Sequence, residues 1–576
     1  MTLRRSGTFA RSSGFLFMEN FSIYYSMEKP NFLKYVAALL IFLIVISIAV
    51  WFAWEVYGDG LIESAYNGQS LPLVNKYVSI HRSIDPEKRT LQYFIDNGKP
   101  VVPRLLSVFI ALLILALSGV RNKYALVRNF FAEIAHPVNL AIFRIVLFGA
   151  LLGYVDIQQG IEFSRFPADL RVAPPGLGWL LNILPIDPTL TTIASSIFIV
   201  VCLSALLGYY SRTSATLAVM VGLYVLGLPQ FFGKIDHYHH LLWFAAILAA
   251  SPCGDALSID AVLASRRNRG NVPTEKSVAY ALPLRFVMLL LGILYFFAGV
   301  WKFVIGGIGW ATGETMRNIL YAQWFRLDWV PQFRIDNYPF LYHSAGVGVV
   351  VFELVFIFAI LFPKHRKYAA IAGLLFHISV YLFAHINFWT LALCYVVFID
   401  FEPLYRRLRM TKLQNPGNGS FNRHSSFVYH KSKPPLILGI TLLSINTLCG
   451  IALFDSWPFA VYPTFAAVEE RFTQSLTVVL VNPDGTTTEI IPYKERALQA
   501  AIHPSRLIGL FTQVLWANDV REVEKKGNAL IGVLSAHDVR FRQAKTITLY
   551  KDICSVIPED QQKNPVRREL LIIVER

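Results

Sequence analysis

Charge is what this 576-residue sequence has least of. Asp, Glu, Lys and Arg make up 16% of the chain against 55% hydrophobic residues, where an average soluble chain carries about 25% charge. That balance excludes an ordinary water-soluble domain and points to a polytopic membrane protein. Cysteine is scarce too. Cys202, Cys253, Cys394, Cys449 and Cys554 form no Cys-x-x-Cys pair and four lie in or beside apolar runs, which excludes a zinc ribbon and a disulfide framework. No basic face is concentrated anywhere. The net charge is +15, yet residues 455–576 hold 15 basic and 15 acidic side chains, so the whole excess is spread through short loops of residues 1–454. Scattered this way it is a topology signal and not a nucleic-acid surface.

What the chain has instead is apolar runs. About 20 such residues cross the hydrocarbon core, and eleven segments approach that length: 33–53, 101–120, 138–155, 190–208, 214–228, 240–252, 283–301, 345–362, 368–384, 388–400 and 434–454. The sixth, ninth and tenth have the length of tilted, re-entrant or protein-buried helices. Residues 1–32 are basic but lack a short apolar region with a small-residue cleavage site, so the first span reads as an uncleaved anchor. Loop charge alternates with the spans. Loops 1–32, 121–137, 209–213, 253–282, 363–367 and 401–433 carry 22 Lys+Arg and 7 Asp+Glu, whereas 54–100, 156–189, 229–239, 302–344 and 385–387 carry 12 and 14. Basic loops mark the cytoplasmic side, which places the N-terminus in the cytoplasm and residues 455–576 outside.

The expected architecture is an all-α polytopic membrane protein of about eleven transmembrane helices with a small C-terminal extracytoplasmic α+β domain. It divides into an N-terminal anchor region (1–125, with an outer loop at 54–100), a multi-helix membrane domain (126–405), a cytoplasmic loop with the last helix (406–454) and the outer domain (455–576). In that domain 476–481 and 487–493 flank Asn482-Pro483-Asp484-Gly485, a hairpin turn by composition. A helix near 505–527 and strands near 545–550 and 569–574 follow.

Ionisable groups inside spans are costly and mark pairs, cavities or sites. Arg144 and Glu353 lie well inside the third and eighth spans, and read either as a structural ion pair, with each other or with backbone carbonyls, or as cavity lining. His377, Tyr381 and His385 recur every four residues, which puts them in one stripe of a helix. Asp236-His237-Tyr238-His239-His240 sits at an outer membrane surface, but its spacing and single occurrence suit proton carriers better than a metal box. Lys302 ends the seventh span. Snorkelling toward the headgroups is the bland reading; the sharper one is an amine kept uncharged by its apolar neighbours Phe296, Phe297, Trp301 and Phe303 and so able to act as a base. His239, Lys302 and His385 all fall at outer helix ends beside Trp243, Trp301, Trp310 and Trp389, a setting that suits a flat apolar ligand entering from the bilayer.

Residues 130–405 resemble the HTTM family, the horizontally transferred transmembrane domain typified by vitamin K-dependent gamma-glutamyl carboxylase. The resemblance is carried by HPVNLAIFRI, DHYHHLLW with SPCGDALSID, YFFAGVWKF, and FELVFIFAILF with FHISVYLF; the later WPFAVYPTFA is similar to bacterial members. In the carboxylase, reduced vitamin K and oxygen yield a strong base that takes a proton from a peptide glutamate, and CO2 adds to the carbanion. The resemblance implies that Lys302 is the amine that deprotonates the hydroquinone and that His239 meets the reacting intermediate; on that reading His239 and His240 stabilise or relay protons, and Arg144, Tyr295, Trp310, Glu353, His377, Tyr381 and His385 belong to the cavity. It implies reduced vitamin K or menaquinol as cofactor with no metal, and the bilayer, a quinone and a secreted peptide or protein as partners. After the lysine the family has an acidic residue and a close Trp, whereas here FVIGGIG leads to Trp310 with no acid. The alternative function is a non-enzymatic membrane scaffold or peptide maturation and export partner, and a third is a metal-dependent membrane oxygenase.

Overall fold

A computed structural model describes residues 30–71, 74, 75, 78, 89–118, 120–154, 157–183, 185–233, 235, 236, 238–268, 275–410, 425–460, 465–517, 519–560 and 565–576. The basic N-terminal stretch before residue 30, His237 and most of the loop before the last membrane helix lie outside them. Among the described residues nine helices are long and apolar enough to cross a membrane. The helices that organise the molecule are α1 (Pro30–Tyr66), α2 (Val101–Leu117), α3 (Pro137–Tyr154), α4 (Pro188–Leu207), α5 (Ser211–Val225), α6 (His239–Ala250), α7 (Val278–Gly306), α8 (Pro339–Leu361), α9 (Arg366–Ala384), α10 (Trp389–Cys394) and α11 (Ser425–Ile451).

Two of the eleven expected spans are short. The 12 residues of α6 rise about 18 Å, well under the roughly 30 Å of hydrocarbon, and α10 continues only through a 3-10 turn to Phe398. Both are wrapped by protein, and α6 buries nine of its residues. A short helix can sit at membrane depth when neighbouring helices satisfy its ends. The ninth expected span is instead a full helix, α9. The first helix runs on to Tyr66 and a further helix covers Leu91–Gly98, so both edges of the expected outer loop are helical.

Helix α7 is the axis of the bundle. It is 29 residues long, and α2, α3, α6, α8 and α11 all pack on it. The loops sort to two ends as their charge suggests. At one end Ala135 and Ser277 exchange backbone hydrogen bonds (3.1 and 3.0 Å), Tyr280 Oη donates to Asp255 (2.8 Å) and Arg366 reaches Glu133 (2.7 Å). At the other end Phe166, Leu228, Phe232, Trp324 and Ala384 share one apolar core with the C-terminal domain.

That domain is a four-stranded antiparallel sheet of order β2-β1-β3-β4, with β1 Phe472–Val481, β2 Thr487–Ile490, β3 Thr546–Ser555 and β4 Arg567–Glu575. The hairpin closes where the turn chemistry places it: Gly485 takes φ +84°, the Asn482 carbonyl accepts from Gly485 (3.0 Å) and Asp484 accepts from the Thr486 amide (2.9 Å). The expected single helix is two, α12 (Pro504–Leu515) and α13 (Val520–His537). Asp519 divides them because its carboxylate caps the Glu522 amide (2.8 Å) and starts a new helix. The domain closes over the membrane helices through Arg506–Asp236, Lys525–Asp169 (2.9 Å), Arg334–Glu559 (2.9 Å) and His537–Glu162 (2.9 Å).

Candidate active site at the capped end of the bundle

Gly292 and Gly299 lie seven residues apart, two turns along one face of α7, and let α8 approach closely. A Cβ at Gly292 would stand 2.9 Å from Ile357 Cγ1, and one at Gly299 would stand 3.0 Å from Glu353 Cβ. Lys302 follows Gly299 by three residues on that face. Its Nζ donates to both carboxylate oxygens of Glu353, at 2.8 and 2.9 Å. Both residues are buried, with 2% and 4% of their surface exposed. Lys302 therefore does not snorkel, and Glu353 is not the partner of Arg144. The carboxylate beside the lysine comes from another helix.

The lysine has two further neighbours. The Trp310 ring lies 5.3 Å from Nζ, centroid to nitrogen, and its indole N–H donates to the Phe465 carbonyl (3.0 Å). Arg104 of α2 donates to the Val304 and Ile305 carbonyls (3.3 and 2.8 Å), a cation at the C-terminal end of α7 where unmet carbonyls concentrate negative charge.

Two turns below Lys302, the Tyr295 hydroxyl pairs with His377 Nε2 (2.7 Å) and accepts from the Tyr395 hydroxyl (3.0 Å). Tyr395 fits beneath α9 only because residue 373 is glycine: a Cβ there would fall 2.0 Å from its hydroxyl oxygen. His377 is 6% exposed, and its Nδ1 is buried with no hydrogen-bond partner. Phe352, Phe356 and Phe376 surround Tyr295, with ring centroids 5.1, 5.1 and 6.2 Å away. Tyr395 was not foreseen; nothing in its local sequence marks it.

The histidine cluster divides. His239 Nε2–H donates to the Ser456 carbonyl (2.7 Å), and its ring lies 5.0 Å from that of Trp457. His240 turns the other way, toward the Thr390 backbone. Asp236 pairs with Arg506 of the C-terminal domain. The segment after α11 ties these parts together. Trp301 donates to the Gly450 carbonyl (2.7 Å), Trp243 to Pro458 (2.7 Å) and Trp457 to Leu223 (3.0 Å). Residues 450–460 thus form a strap linking the lysine end of α7 to the histidine end of α6.

Three expected cavity residues stand apart. Arg144 is fully buried, but it donates to the Cys253 and Leu257 carbonyls (both 2.6 Å) and so closes the 253–257 turn at the far end of the molecule. Tyr381 and His385 are exposed. They stack on each other (5.2 Å), and His385 also lies against Trp329 (4.9 Å). Each step of four residues turns a helix face by about 40°, enough to carry both away from His377.

Removing one member of a buried ion pair leaves an uncompensated charge, at a cost of about 3–5 kcal/mol. Lys302→Met alone is therefore expected to lower the thermal unfolding temperature of the detergent-purified protein strongly, and Lys302→Met/Glu353→Met to recover most of the loss. A single variant as stable as wild type would contradict the pair.

Residues 133–403 match the HTTM domain family. No curated protein and no solved structure matches the chain. The matched stretch carries Lys302, Glu353, Tyr295 and His377.

Proposed function

We propose that this chain is a membrane enzyme of the vitamin K-dependent carboxylase type, acting on a reduced quinone at the capped end of the bundle. HTTM domains are found in vitamin K-dependent carboxylases. The observation that carries the reading is the Lys302–Glu353 pair, a buried amine hydrogen-bonded to a proton acceptor at 2.8 Å. The residues around it suit a flat ligand with a polar edge. The rings of Phe352, Phe356, Phe376 and Trp310 provide apolar faces, and the buried, unpartnered His377 Nδ1 provides a polar atom still to be satisfied.

Reduced vitamin K or menaquinol would supply an acidic hydroxyl and the electrons that reduce molecular oxygen, the oxidant of the reaction. Lys302 supplies the base. Its ammonium passes a proton along the hydrogen bond to Glu353, both charges vanish together, and the amine lone pair becomes available for a hydroxyl proton. In a low-dielectric site this conversion of an ion pair to a neutral pair avoids creating an isolated charge. Tyr395, Tyr295 and His377 form a hydrogen-bonded line whose shared protons fix the imidazole orientation. The strap and outer domain exclude water from above. His239, whose Nε2–H is engaged by Ser456, positions the strap, and His240 faces the Thr390 backbone. The final acceptor is the quinone itself or a secreted peptide.

A scaffold or peptide-maturation role is the second reading. It draws on edge strand β4 of the outer domain, whose Leu570 and Ile573 are 52% and 54% exposed and could pair with an extended peptide.

Detergent-solubilised protein supplied with reduced vitamin K or menaquinol is expected to form the epoxide, and Lys302→Ala and Lys302→Arg to lose it by at least a hundredfold, the scale of a lost general base. No epoxide from well-folded wild type would overturn the enzymatic reading in favour of the scaffold. Positive loops place the N-terminus in the cytoplasm and the cap outside. Alkaline phosphatase fused at Arg576 is then expected to be active, and a fluorescent cytosolic GFP at that position would reverse the orientation.

A further inference from the structure

The opposite end of the bundle holds a cleft of about 670 Å³. Arg285 at its wall and Lys302 lie 17 residues apart on α7, about 25 Å along the axis, so this cleft is separate from the site above. Its lining includes Arg285, Lys364, Arg366 and Lys367 against two carboxylates, Glu133 and Asp400, while Lys276, also in the lining, is held by Glu402 (2.5 Å). The single Glu133 carboxylate is shared by Arg285 and by both Nη atoms of Arg366 (2.7 and 2.8 Å), which leaves one positive charge over. Arg285 Nε is buried there with no acceptor. Lys364 and Lys367, on and just after the turn between α8 and α9, are exposed, and neither is tied to a carboxylate among the described residues. The N-terminal ends of three long helices, α3, α7 and α9, border the same cleft and add positive dipole ends to the cations.

We propose that this cleft binds a phosphate-bearing anion and that its source is the headgroup of an anionic membrane lipid. A phosphodiester fits the excess positive charge. The lipid is favoured over free phosphate by the rim. Ile134, Tyr368 and Ile399 line the cleft and are 56%, 59% and 53% exposed, and Ile134 and Tyr368 lie where span-length helices begin, so an acyl chain leaving the headgroup meets apolar side chains. The inference is independent of the quinol reading.

The test uses the full chain in detergent, titrated with dioctanoyl phosphatidylglycerol, dioctanoyl phosphatidylcholine or inorganic phosphate, with thermal unfolding as readout. The glycerol lipid is expected to raise the unfolding temperature saturably at concentrations where the choline lipid and phosphate do not. Lys364→Gln/Lys367→Gln, two exposed changes outside the reaction site, is expected to weaken that binding roughly ten- to thirtyfold, since each basic side chain near a membrane surface contributes about 1 kcal/mol. Equal binding of the two lipids, or an unchanged titration in the double variant, would overturn the site. Inorganic phosphate acting as well as the glycerol lipid would overturn the lipid as source.

Discussion

A lysine ammonium inside a membrane protein needs a counter-charge, and much of the bundle is arranged around providing one. Lys302 is held by Glu353 from the next membrane helix, and that contact exists only because Gly292 and Gly299 bring α7 and α8 together. The same approach sets Phe352 and Phe356 against Tyr295 and so fixes the aromatic wall beside the tyrosine and histidine line. A buried pair of this kind is weak as a source of stability, because desolvation offsets most of the Coulomb attraction. Under the proposed function the pair offers a proton two well-defined atoms between which to move.

The capped end is built in layers. Membrane helices carry the Lys302–Glu353 pair and the tyrosine and histidine line, the 450–460 strap fastens α6 and α7 by tryptophan and histidine hydrogen bonds to carbonyls, and the C-terminal domain lies above them with a shared apolar core and several ion pairs. Tryptophan serves well here, since its ring buries apolar surface while its single N–H reaches a fixed acceptor. The C-terminal domain is thus part of the enclosure of the site and not a tethered appendage.

Hydropathy and loop charge made the membrane character, most helix positions and the hairpin at Asn482–Gly485 legible from sequence, because length in lipid and turn chemistry are local constraints. Facing was not legible. In a membrane helix the lipid side is as apolar as the packed side, so His377, Tyr381 and His385 looked like one stripe although only His377 points inward. Pairing across helices was likewise hidden: Lys302 and Glu353 are 51 residues apart. Arg144 was recognised as a buried cation, and its carbonyl partners at 253–257 were one of the arrangements its position allows. The division of the 505–527 helix at Asp519 was readable in principle, since an aspartate before Val520-Arg521-Glu522 is a helix start.

The central claim is that Lys302, paired with Glu353, is the base that meets a reduced quinone. The most direct measurement is an experimental structure of the full chain in a lipid nanodisc with menaquinol bound under anaerobic conditions. The account predicts the quinol ring between the Trp310 and Phe352 side, a hydroxyl within hydrogen-bond distance of Lys302 Nζ and the lysine drawn away from one Glu353 oxygen. A quinol bound elsewhere, with Lys302 still held by both oxygens of Glu353, would contradict it.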